Sequence, residues 1–196
     1  MQKGAMLEPN HLSKYAKMFE KEMSEIDPLQ QVILKGHLII EAALDNIISI
    51  IFFHPEHVLK GRFTFSQKIQ LARAYGLRKD TNSIWNLILS VNEVRNEVAH
   101  NLAGEKRDRK LKQLHRLFLA EATAEMREAL EKHGAKLEEM SDEVVVAHSC
   151  FLCAGFLGTY EEDISMLRGI IDTIDHGMNP DLQRVPRKSP ENARKK

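Results

Sequence analysis

Residues 27–53 read DPLQQVILKGHLIIEAALDNIISIIFF, and this stretch decides the fold. Its start is marked three times over. Asp27 is a capping residue, Pro28 suits the first helical position, and Gln30 completes a capping box. Ile39, Ile40, Leu44, Ile47, Ile48 and Ile51 then recur at helical spacing and make a broad apolar face. His54-Pro55 stops the run after Phe53. A helix this long and this apolar belongs at the centre of a bundle.

Working outward, the rest of the chain has the same 3.6-residue periodicity. One helix is predicted before the central one, at Asn10–Met23. A third spans Phe65–Tyr75, with Leu71 and Ala72 inward and Gly76 ending it. A fourth starts near Asp80–Asn82 and reaches Ala99, with Trp85, Ile88, Val91, Val94 and Val98 on one side. A fifth runs from Glu105 to His133, stopped by Gly134. A sixth follows Ser141 and reaches Asp175, with Gly177 just past its end. The predicted architecture is an all-α, antiparallel bundle of about six helices. Residues 1–27 are a helix and linker, 28–176 one domain, and 177–196 a flexible basic tail with Pro180, Pro186 and Pro190.

Composition excludes several classes of function. The 196 residues are 43% hydrophobic and 29% charged, which describes a soluble globular chain. Lys+Arg and Asp+Glu both total 28, so any basic site is local rather than a property of the whole field. Two cysteines rule out a disulfide scaffold. The first residues lack the apolar core of a signal peptide. Lys35, His37, Glu41 and Asp45 make Val32–Phe53 a poor membrane span, and the apolar part of the sixth helix, Val144–Leu157, is too short for one. A reduced, cytoplasmic protein with no membrane partner is expected.

The chemistry-bearing segment is Arg95-Asn96-Glu97-Val98-Ala99-His100. A guanidinium holds two phosphate oxygens at once, and an imidazole moves a proton near neutral pH. Spacing alone is weak: the chain has three Arg/His pairs with four to six residues between, against about 1.7 from random placement. Context selects Arg95/His100, because Asn96 follows Arg95, whereas Lys110 and Glu128 follow Arg109 and Arg127. Asn96 and His100 share a helical face. Arg95 and His100, five apart, sit about 140° around an ideal helix. Either the helix ends before His100, or two copies of the segment complete each other's site.

With Gly36-His37-Leu38-Ile39-Ile40-Glu41, Phe65–Leu77 and Trp85 ahead of that segment, the sequence resembles the HEPN superfamily, in the branch that includes mannitol operon repressor-like proteins. The resemblance covers Pro28 to Leu102. It implies an all-α bundle, often a homodimer, with paired motifs facing one cleft. It also implies metal-independent RNA cleavage, in which a ribose 2′-hydroxyl attacks its own phosphate. Arg95 would steady the phosphoryl charge, Asn96 would orient groups, and His100 would act as general acid or base. Other members are non-catalytic regulators or partners of nucleotidyltransferases, so a protein partner of that kind is the alternative.

His37, Glu41 and Asp45 recur every four residues on the central helix. They read either as a stripe that binds a metal or helps proton transfer, with His37 and Glu41 supporting the Arg95 site, or as the polar side of that helix, with Glu41 pairing a buried base or lying near Arg95. Lys106, Arg107, Arg109 and Lys110 follow the motif at once and read as a phosphate-tracking patch or a solvated helix face. His54-Pro55-Glu56-His57 reads as a loop, and His148, Cys150 and Cys153 as packing, so no metal and no cofactor is expected. No helix-turn-helix supports a DNA-binding repressor.

Overall fold

A computed structural model describes residues 27–76, 79–100, 105–132 and 136–181, with Ala16, Lys17, Glu20 and Gln183 besides. The predicted Asn10–Met23 helix and the tail from Arg184 lie outside the described residues, apart from Ala16, Lys17 and Glu20, which are helical. The protein is all-α, with no strand among the described residues. Its helices are α1 (Pro28–Ile51), α2 (Pro55–Leu59), α3 (Phe65–Tyr75), α4 (Ile84–His100), α5 (Glu105–Glu121), α6 (Ala124–Lys132) and α7 (Asp142–Met178).

α1 begins where its sequence says it should. The Asp27 carboxylate accepts hydrogen bonds from Leu29 N at 2.9 Å and Gln30 N at 3.3 Å. The reciprocal capping box lies instead on α3: Gln67 N donates to Thr64 Oγ1, and Thr64 N donates back to Gln67 Oε1 at 2.8 Å. Gly76 ends α3 as expected, but with a φ of −78° rather than a left-handed turn. Its lack of a side chain serves a close approach, since a Cβ there would stand 2.8 Å from the Tyr160 hydroxyl.

Three boundaries differ from expectation. The fifth predicted helix is two: α5 stops at Glu121 and Thr123 restarts the chain, accepting from Met126 N at 3.2 Å. A threonine hydroxyl competes for backbone donors in this way and favours a cap over a helix interior. His54–His57 holds the short helix α2 rather than a loop, because Pro55 is well placed at a first turn. α7 runs through Gly177 to Met178. At 37 residues it meets the length and composition of a membrane-crossing helix, as a buried core helix also does. Its inner face, with Cys153, Leu157, Tyr160 and Ile164, is buried in the bundle.

α1 lies at the centre, packed mainly on α7 and then on α4 and α3. The antiparallel expectation holds for α4 against α5 and for α4 against α1 and α7. Trp85, at the start of α4, meets Phe156 and Tyr160 edge-on, whereas Asn92 lies across from His37. α1 and α7 run parallel: Gly36 meets Cys150, and further along Ile50 O accepts from Arg168 Nη1 at 3.3 Å. A Cβ on Gly36 would stand 2.3 Å from Cys150 Sγ, so this glycine sets how closely the two helices approach. Arg168 is 6% exposed, pairs with Asp172 at 2.9 Å and covers the Phe53 ring, placing a cation at the carbonyl end of α1.

Trp85, Phe118, Ile33, Ile40, Leu44, Ile47 and Ile88 are fully buried. Each side chain of this size contributes roughly 1.5–3 kcal/mol by leaving water. Ile39 is the exception on α1. It was expected on the apolar face, yet it is 60% exposed, beside Leu38 at 64%. Phe151 of α7 is likewise exposed.

Candidate functional site

α4 carries the motif on a continuous helix whose backbone extends to His100. The helix therefore does not end before His100, and the 140° between the Cα positions of residues 95 and 100 persists. The side chain of His100 lies outside the described residues. Arg95 is half-buried, and its Nη1 donates to Asn96 Oδ1 at 3.1 Å. Asn96 is exposed. The amide thus holds the guanidinium against its own helix, and among the described residues no other hydrogen-bond acceptor meets the fork.

One turn before Arg95, Asn92 faces α1. His37 Nε2–H donates to Asn92 Oδ1 at 3.1 Å, and the imidazole stacks on Phe65 with 4.2 Å between ring centres. Burial pushes the His37 pKa below its ordinary value. The Asn92 bond and the Glu41 charge oppose that shift, and the charges of Arg95 and Lys68 add to it. With its pKa pushed below 6.5, His37 is neutral at pH 7, and it is close enough to Arg95 to feel its field.

Glu41 extends the same stripe. Its carboxylate accepts from Lys68 Nζ at 2.7 Å, and Asp45 Oδ1 lies 2.8 Å from the same ammonium. The buried base expected for Glu41 is Lys68. Lys68 is 8% exposed and Asp45 4%. Two carboxylates share one ammonium, Asp45 buried beside it and the Glu41 side chain 32% exposed at its edge, with Arg95 as the next cation on the side of His37. Lys68 and Asn92 were not singled out from the sequence. Their signal was there to read: Lys68 falls on the inner face of α3, between Phe65 and Ala72, opposite an acidic i, i+4 pair.

The basic run on α5 divides. Lys106 and Arg109 are exposed. Lys110 pairs with Glu93 of α4 at 2.8 Å, and Arg107 Nη1 lies 3.4 Å from Asp27 Oδ2 at the head of α1. Half of the proposed phosphate-tracking patch is thus already engaged in tying α5 to its neighbours. Cys150 and Cys153 are free and buried, and burial pushes the Cys150 thiol up to about 12. No group of three or more His, Cys, Asp or Glu able to hold a metal occurs among the described residues.

No protein-family model, curated protein or solved structure matches the chain. The reading of this site rests on its own residues.

Proposed function

We propose that the chain works as a HEPN-type homodimer that binds RNA at a composite cleft, with Arg95, Asn96 and His100 supplied by both subunits. The observation that carries this reading is the unbroken helix through His100. On one α4 the guanidinium and the imidazole diverge by about 140°, so they meet at a single phosphate only when a second α4 faces the first. Arg95, held by Asn96, stabilises the phosphoryl oxygens. His100 is the only group of the three able to move a proton near pH 7.

The reaction that suits these groups is transesterification. The ribose 2′-oxygen attacks phosphorus, the bond to the 5′-oxygen breaks, and a 2′,3′-cyclic phosphate remains. Neutral His100 takes the 2′-hydroxyl proton, and solvent water protonates the leaving 5′-oxygen. The Arg95 charge steadies the phosphoryl oxygens through the step. General acid–base help is worth about 10² to 10⁴ in rate. His100→Ala is expected to lose cleavage by at least that order while keeping its fold by circular dichroism. An unchanged cleavage rate removes the catalytic role.

A second reading is a non-catalytic regulatory module with a protein partner. Leu38 and Ile39, neighbours on α1 and each at least 60% exposed, favour it as an apolar point of contact. Stable capture of one partner, without salt-sensitive RNA binding, would select that reading over the first.

A further inference from the structure

A cavity of about 320 Å³ opens where the end of α3 meets the middle of α7. It is lined by Tyr75, Tyr160, Ile164, Leu167, Lys79 and Asp163. This size lies at the lower limit of small-ligand pockets, about 300 to 1,000 Å³, and suits one planar ring system. The walls are aromatic and aliphatic. Tyr160 and Ile164 are each 3% exposed, and the Tyr160 hydroxyl is already committed to Ala72 O at 2.7 Å. Lys79 and Asp163 form an ion pair whose members are about half exposed, which places it at the rim.

The Lys79 side of the pocket is built in advance. Arg73 donates to Asp80 O from Nε at 3.1 Å and from Nη2 at 2.7 Å. Trp85 Nε1 donates to Lys79 O at 2.7 Å from behind the cavity. These bonds hold the turn that carries Lys79 in place without a ligand. An exposed ion pair contributes little to stability, so a ligand that satisfies both charges opens it at small cost.

We propose that this cavity holds a single unstacked guanine of the bound RNA strand. The assignment rests on the RNA reading above for its macromolecular source. Its base identity comes from the rim. Asp163 presents two acceptors and Lys79 a donor. Guanine offers N1–H and N2–H to the carboxylate and O6 to the ammonium. Adenine and cytosine present a donor where Lys79 needs an acceptor, and a lone pair where Asp163 needs a donor. Uracil matches O6 and N1–H with O4 and N3–H, but turns O2 toward the second carboxylate oxygen. The aromatic and aliphatic walls take the ring faces, as single-stranded bases are commonly held. Arg95 lies ten residues along α4 from Trp85, about 15 Å by helix rise, within reach of one short single-stranded segment.

The test uses the full chain and free nucleotides, with calorimetry and the fluorescence of Trp85, the one tryptophan. GMP is expected to bind once per chain, with AMP, CMP and UMP at least tenfold weaker. Asp163→Asn and Lys79→Gln, both at exposed positions, are expected to erase that preference while the fold stays intact. Equal binding of the four nucleotides, or none, overturns the assignment. RNA binding that needs Arg95 without any preference for GMP overturns the pocket and leaves the RNA reading standing. A GMP preference that Asp163→Asn abolishes, in a chain that fails to bind RNA, upholds the pocket and removes the RNA reading.

Discussion

Two groups of charge flank α4 and behave in opposite ways. On one side, Lys68 and Asp45 are under a tenth exposed and pair inside the bundle, with Glu41, 32% exposed, at the edge of the group. On the other, Lys106–Lys110 lines the open start of α5, with two of its four cations in partly exposed pairs. The first group cannot lose a member without stranding a charge in a poorly hydrated place. In the second, Lys106 and Arg109 face water, and Arg107 and Lys110 are partly exposed in pairs whose loss costs little. Burial converts charge into architecture, and exposure leaves it available for a polyanion.

The largest expected effect comes from breaking the enclosed group. Lys68→Met strands two carboxylates and is expected to cost about 3–5 kcal/mol in urea unfolding. A loss below 1 kcal/mol would show that water reaches the cluster. Replacing Lys68, Glu41 and Asp45 together with apolar residues of similar volume is expected to recover most of that loss.

The next effect is in pH. The folded-state pKa of His37 is lowered by burial, so the unfolded chain takes up the proton first. The stability this group contributes is complete above its ordinary value of 6.5 and falls as pH drops below it. Urea midpoints measured from pH 7.5 to 5 are expected to decline more steeply in the wild type than in His37→Phe. Parallel curves would place His37 in contact with water.

On the exposed side the changes are small. A double-mutant cycle on Glu93 and Lys110 is expected to return 0.2–1 kcal/mol of coupling. Lys106→Glu with Arg109→Glu is expected to leave stability within about 0.5 kcal/mol of wild type. The same pair is expected to reduce the salt slope of single-stranded RNA binding by about 1.4, at roughly 0.7 per phosphate contact. A slope that stays the same would remove these two cations from the interface.

The sequence made the long elements plain because their signals are local. Asp27 with Pro28 starts α1, and Phe65–Tyr75 is read to the residue, since caps and periodicity lie within a few positions. The break between α5 and α6 was missed because Thr123 looks like any helix-tolerated threonine until Met126 N is seen bonded to it. Ile39 was placed inside with its apolar neighbours, yet at 100° per residue it stands about 80–180° from Ile40, Leu44, Ile47, Ile48 and Ile51, so helix geometry itself turns it to solvent. The Arg95–Asn96 unit was legible as a motif. The partners His37–Asn92 and Lys68–Asp45 were not, because each joins residues 23 or more positions apart on different helices. The Tyr75–Tyr160 cavity depends on a contact between residues 85 apart, which no local pattern encodes.

The central claim is that Arg95 of one subunit works with His100 of its twin. Mixing Arg95→Ala with His100→Ala, after exchange of subunits, tests it directly in an RNA cleavage assay. Each mixed dimer keeps one intact site, so the mixture of two inactive variants is expected to recover about a quarter of wild-type cleavage. A mixture that dimerises and stays as inactive as either variant alone would contradict the account.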